Sequence, residues 1–203
     1  KLSPDGKYLF VSDVGNDRVV VLDAGSLARV DAFGGDLLDG THDVDFDDKG
    51  QLYVADTHKG RVAIFAMQGT RGELVGSLDD RICGDEGVLV HPNGMIYVAG
   101  AWSNNVVAYR DGEVVHELRG LSAPHDLELA PDGRIWLADA GNDRPHRVHA
   151  KRADRRRRRH HQPENLRPAR SLAQLTRPRG AHRAVDDLGG SSARPGRRAR
   201  SRP

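Results

Sequence analysis

Apolar positions in this chain come in short runs broken by turn residues. Val44 and Phe46 alternate with Asp45 and Asp47, the turn Asp48-Lys49-Gly50 follows, and then comes the apolar run Leu52-Tyr53-Val54-Ala55. Alternation of period two closed by a glycine turn predicts a hairpin. A second turn, Asp56 to Gly60, leads into a third strand from Arg61 to Phe65, and Gly72 to Leu78 supplies an outer fourth. The same turn recurs along the chain: "SPDGKYLFVSD" from Ser3, "DDKGQLYVAD" from Asp47, "HPNGMIYVAG" from His91 and "APDGRIWLAD" from Ala130. Their glycines, Gly6, Gly50, Gly94 and Gly133, stand 44, 44 and 39 residues apart.

Four short antiparallel strands cannot bury both faces alone, so such units must stack radially. A period of roughly 40–45 residues is that of one propeller blade. The predicted fold is all-β: a partial β-propeller of four-stranded antiparallel blades over residues 1–144, with blades at 1–40, 41–81, 82–120 and 121–144. A partial ring leaves two apolar blade faces uncovered, so low stability or self-association is expected.

The strings "VSDVGNDRVVVLD" (Val11–Asp23), "VADTHKGRVAIF" (Val54–Phe65) and "LADAGNDR" (Leu137–Arg144) resemble the NHL signature: a strand ending in Asp, an Asn/Gly turn, then Arg-Val. The first unit is also similar to the YVTN repeat. This resemblance spans residues 2–144 and implies a six-bladed parent ring. The third copy departs from it, with Gly100 in place of the Asp and Trp102 to Asn105 in place of the turn.

Charge divides the chain where the repeat stops. Residues 1–144 hold 13 basic and 25 acidic residues, a net of −12; the remainder hold 18 basic and 4 acidic, a net of +14. After Arg144 the pattern calls for an apolar strand, but the chain gives Pro145-His146-Arg147 and then five arginines, Arg155 to Arg159. Residues 145–203 are therefore expected to be a disordered Arg/Pro-rich tail produced by a shifted reading frame. Codons for Pro145 to Arg152, read one base later, permit Arg-Ile-Val-Phe-Thr-Pro-Ser-Gly, the strand and turn that a blade needs. The rival reading is an Arg-rich arm for phosphate backbones; nucleic acid is not the expected partner. No apolar run is long enough to span a membrane. Cys83 is the single cysteine, which excludes an internal disulfide and leaves periplasmic, secreted and cytoplasmic settings open.

Candidate chemistry follows from the repeat register. Propellers gather functional groups where the innermost strand of each blade begins. Eight residues before each turn glycine stand His42, Glu86 and His125, in the strings "HDVDF", "EGVLV" and "HDLEL". Two His and one Glu form a zinc-ligand set. Asp43 and Asp126 are candidate bases or outer acceptors, although strand alternation turns them away from the histidines. Asp13, Asp56 and Asp139 are expected to cap their turns, with Asn16 and Asn142 in the left-handed region. His58 and His91 are expected in exposed turns and His116 in an outer strand.

Pro124-His125-Asp126-Leu127 is similar to the zinc-ligating "Pro-His-x-Leu" of peptidyl-α-hydroxyglycine amidating lyases. Gluconolactonase/senescence-marker proteins carry metal ligands at the same point of an inner strand, and Glu86-Gly87-Val88 is similar to the "PEGI" context of streptogramin lyases. These resemblances imply a divalent metal, Zn or Ca, in a metal-dependent lyase or lactone hydrolase. NHL resemblance by itself implies a scaffold that binds a small molecule or a protein at its channel face.

Overall fold

The structure is a computed structural model and describes residues 1–148. Its strands form four antiparallel sheets in chain order. Sheet 1 holds β1 (Tyr8–Asp13), β2 (Arg18–Asp23) and β3 (Arg29–Phe33); sheet 2 holds β4 (Thr41–Phe46), β5 (Gln51–Asp56), β6 (Arg61–Gln68) and β7 (Arg71–Leu78). Sheet 3 holds β8 (Asp85–His91), β9 (Met95–Gly100), β10 (Asn105–Arg110) and β11 (Glu113–Leu118). Sheet 4 holds β12 (Pro124–Leu129), β13 (Ile135–Asp139) and β14 (Arg144–Val148). The glycine turn from Ser3 precedes β1 just as the turn from Asp47 precedes β5, so β1 is equivalent to β5; Leu2 adds a single bridge to Leu9.

The two periodicities of the sequence are the two faces of each blade. In β5, Leu52 and Val54 pack toward sheet 1 with Phe10, Val19 and Val21, while Tyr53 and Ala55 pack toward sheet 3 with Val88, Val98 and Val107. A blade between two neighbours therefore reads as a continuous apolar run. Sheet 4 is covered on one side: Ile135 and Leu137 are buried against Leu89, Tyr97 and Ala108, whereas Trp136 is 38% exposed under the Arg147 guanidinium, 4.4 Å from the ring centroid. Alternate positions of one strand thus report whether a neighbouring blade is present.

The recurrent Asp does not cap its turn. None of the three 3₁₀ turns that follow these residues has a side-chain cap. Asp56 Oδ1 instead accepts the N–H of Asp39, 17 residues earlier at 2.6 Å, and Oδ2 accepts Arg61 Nε at 2.7 Å. Asp139 repeats this with Ser122 N–H at 2.8 Å and Arg144 Nε at 2.9 Å; Asp13 pairs with Arg18 Nε at 2.8 Å. The carboxylate pins the loop entering a blade to that blade's second and third strands. Burial opposes the charge on Asp139, but Ser122 N–H, the Asn142 amide and the Arg144 guanidinium outweigh it and hold the carboxyl below its ordinary 3.8. The left-handed residues are Asp17 and Asp143, one beyond the expected Asn16 and Asn142, whose amides donate to Asp13 and Asp139.

Blade 3 reaches the same result with different atoms. Ser103 Oγ accepts the N–H of Cys83, the residue 17 before Gly100, at 3.2 Å, and donates to Asn105 Oδ1 at 2.6 Å. A Cβ on Gly100 would lie 2.2 Å from Ser103 Oγ and 2.8 Å from Asn105 Oδ1. Ser103 and Asn105 therefore fill the volume that Asp and Arg fill elsewhere, and Gly100 is what leaves room for them.

Two further expectations change. His91 is buried, not exposed: its Nδ1 accepts Asn93 N–H at 3.0 Å, so Nε2 carries the proton and donates to Gly133 O at 3.0 Å, joining blade 3 to the turn of blade 4. The strand expected to fail after Arg144 runs to Val148, because β14 is the edge strand of its sheet, where proline is tolerated. Residues 149–203, which carry the rest of the Arg/Pro-rich segment, lie outside the described residues.

Gly100→Asp alone is expected to destabilise the chain by about 1–3 kcal/mol, the usual cost of overpacking. Adding Ser103→Asn and Asn105→Arg, the residues of blades 1 and 4, should recover most of the loss in urea denaturation.

Candidate metal centre

Each inner strand opens with an irregularity at the same point. The pairing register of β4 with β5 shifts between Thr41 and Val44, that of β8 with β9 between Asp85 and Gly87, and that of β12 with β13 between Pro124 and Leu127. A bulge leaves its extra residue outside the ladder and re-aims the side chain. His42, Glu86 and His125 stand in these three bulges and so project alike from three consecutive blades.

Their ligand atoms all lie within 4.8 Å of one another. The rings of His42 and His125 meet edge to face with centroids 6.1 Å apart. Glu86 Oε2 is in ion-pair contact with His125 Nε2, and this buried oxygen has no other polar partner among the described residues. Gly87 makes the convergence feasible, because a Cβ there would lie 2.7 Å from His125 O and 3.1 Å from Asp126 Cα. With no side chain at this position β8 approaches β12 closely, carrying Glu86 to His125.

The aspartates next to the histidines behave differently from one another. Asp43 Oδ1 accepts its own strand's Val44 N–H at 2.7 Å, and Oδ2 accepts Val88 N–H on β8 at 2.9 Å. Asp45 does the same one pleat on, with Phe46 N–H at 2.7 Å and Val90 N–H at 2.8 Å. Both carboxylates therefore bridge the unpaired edges of two inner strands. Burial pushes the Asp43 carboxyl up to about 6, against the pull of the Val88 and Val44 N–H groups and helped by the charges of Asp126 and Asp45. Asp126 is exposed and, among the described residues, accepts only the N–H of Leu127, at 2.8 Å.

Asp85 gave no signal in the sequence. It is fully buried between blades 2 and 3, where Oδ2 accepts Asp56 N–H at 3.0 Å and Oδ1 has no hydrogen-bond partner among the described residues. Burial raises its carboxyl to about 7, outweighing the backbone N–H groups that favour the charge. Nothing in "GDEGVL" separates this fully buried acid from the partly buried Glu86 beside it.

The NHL repeat family model matches residues 39–65, the second blade. Among solved structures, a streptogramin B lyase superposes with a TM-score of 0.60 at 14% identity, covering 72% of this chain and 49% of that one. The chain carries an NHL repeat in a β-propeller. Virginiamycin B lyase from Staphylococcus aureus with quinupristin gives 0.56 at 13% identity over 73% of this chain and 50% of its own. A Bacteroides uniformis protein assigned to the 6-phosphogluconolactonases gives 0.56 at 18% over 68% and 46%. The NHL propeller chain thus spans about half the length of these structures, and at such identities the likeness is one of fold. No curated protein sequence matches it.

Gly87→Ala is expected to cost about 1–3 kcal/mol in urea denaturation, because the new methyl meets backbone that cannot rotate away. Gly15→Ala, whose Cβ would meet nothing within 4 Å, is the milder control.

Proposed function

We propose that this chain supplies the divalent-cation centre of a propeller enzyme acting on a carbonyl compound, by elimination or by lactone hydrolysis. The observation that carries the reading is the meeting of His42, Glu86 and His125 from three consecutive blades, their ligand atoms within 4.8 Å of one another around a buried Glu86 oxygen. A buried carboxylate oxygen is costly unless a cation or proton compensates it. Two imidazoles and one carboxylate suit Zn²⁺ better than Ca²⁺, which prefers oxygen ligands throughout.

A cation at this point supplies a Lewis acid that polarises a substrate carbonyl. His42 and His125 would hold it through neutral ring nitrogens, and Glu86 would give the one charged ligand. Asp43 and Asp45 fix the spacing of the strands that present these residues, so Asp43 serves as a positioning residue. Asp126 is the acid–base candidate: it is exposed beside His125 and retains one carboxylate oxygen beyond its bond to Leu127. Structures of this fold include a lyase and a protein assigned as a lactonase, which fits the substrate class without identifying the substrate.

A second reading is a ligand-binding scaffold, favoured by the Glu86–His125 ion pair, which lets the cluster close on itself without a cation. Zinc titration by calorimetry separates the two. The chain holds ten histidines, so the informative quantity is the difference between the chain and its Glu86→Gln and His42→Ala forms. The enzyme reading predicts one site that weakens more than about tenfold in each variant, since even the outer partners of metal ligands are worth 10–100-fold. Identical isotherms for all three proteins would leave the scaffold reading. Turnover of lactones and α-hydroxyglycine amides by the zinc-loaded chain, abolished in Glu86→Gln, would then assign the reaction.

A further inference from the structure

The turns that join the second and third strands of blades 2 and 3 carry a pair of rings with no counterpart in the other two described blades. Two residues after the blade Asp position stand His58 and Trp102; the equivalents in blades 1 and 4 are Gly15 and Gly141. The His58 and Trp102 rings are nearly parallel, 21° between planes, with centroids 6.0 Å apart across the blade boundary. Trp102 is 56% exposed, unusual for so large an apolar surface. The fold does not demand these rings, because glycine serves in two of four blades.

Each ring lies flat on a glycine. A Cβ on Gly40 would come within 2.7 Å of the His58 ring, and one on Gly84 within 2.4 Å of the Trp102 ring. Both glycines have positive φ, 66° and 62°, but φ alone does not explain them: Ala123, the equivalent residue of blade 4, has φ 42° and faces Gly141 in place of a ring. Where a ring is present the loop residue is glycine, and where the ring is absent it is alanine. The shelf is thus built from both sides of the contact.

Orientation and position complete the site. Asp39 Oδ1 lies 2.8 Å from His58 Nδ1, so Nδ1 carries a proton toward the carboxylate, and Nε2 of this half-exposed ring has no partner among the described residues. Thr41 pairs with Asp56 and Asp85 with Gly100, so these turns stand at the end of the sheets where the inner strands begin. His58 rests on the residue two before His42, and Trp102 on the residue two before Glu86. The shelf and the cluster therefore share one face, separated by roughly 7 Å of extended chain.

The geometry points to a subsite for a hydroxyl-bearing ring, which stacks on Trp102 and hydrogen-bonds through its hydroxyl to His58 Nε2. A hydroxyl both donates and accepts, so it suits His58 in either protonation state. A phenol and a sugar share this chemistry, and both stack on indole. The subsite is independent of the cation centre and needs no metal.

Saturation-transfer NMR of the intact chain, with chelator present, tests it using phenol and methyl β-glucoside in separate samples. Ring-proton signals from either probe are expected, lost in Trp102→Ala and requiring several-fold more ligand in His58→Ala. Signals from phenol alone assign an aromatic ligand and signals from the glucoside alone a sugar. Alanine at 102 should leave the melting curve unchanged, as glycine occupies this place in blades 1 and 4; if it does not, Trp102→Phe, which keeps a smaller ring, should retain weakened signals. No signal from either probe, or signals that survive Trp102→Ala unchanged, would overturn the subsite.

Discussion

The inner strand of a propeller blade has an edge that no strand of its own sheet covers, and its N–H groups must find acceptors elsewhere. Here Asp43 and Asp45 solve that problem for two strands at once, each taking one N–H from β4 and one from β8. Hydrogen bonds to a carboxylate are roughly twice as strong as neutral ones. They fix the lateral spacing and the relative height of adjacent inner strands, and with them the positions of whatever side chains those strands present.

At the next boundary the device is reversed. Gly87 stands where blade 2 has Asp43, so no carboxylate bridges β8 to β12 at that level; the strands instead touch backbone to backbone, and Leu127 N–H is taken by Asp126 of its own strand. The closer approach carries Glu86 to His125. One boundary is thus set by a charged bridge and the other by an absent side chain, and the three bulges turn the results of both toward one point. Function and stability meet here: the groups that settle the strand edges also decide whether a cation can be held.

Much of this was legible in the sequence because the repeat carries its own ruler. A bulge normally spoils register counting, yet His42, Glu86 and His125 were found by counting back from the turn glycine, because all three strands bulge at the same place and the error cancels. The blade faces were legible for the same reason, from the apolar run in β5. What stayed hidden depends on contacts between residues far apart in the chain. The acceptor of Asp39 N–H lies 17 residues away, and that of Val88 N–H lies 45 away in another blade. Local turn chemistry assigned Asp56 a cap, but tertiary demand gave it a longer reach. His91 misled for a similar reason: "HPNG" reads as an exposed turn until blade 4 closes over it. Gly100 showed as a defect in the repeat, whereas Ser103 and Asn105 occupy the space of its missing side chain and Ser103 takes over the loop N–H.

The central claim is that three equivalent positions on consecutive inner strands form one cation site. X-ray absorption at the zinc edge of the one-to-one complex, with Glu86→Gln beside it, tests this most directly. Two imidazole nitrogens at about 2.0–2.1 Å and a carboxylate oxygen at about 2.0–2.2 Å, the oxygen shell altered in the variant, are predicted. A spectrum with a different imidazole count, or one that Glu86→Gln leaves unchanged, would contradict it.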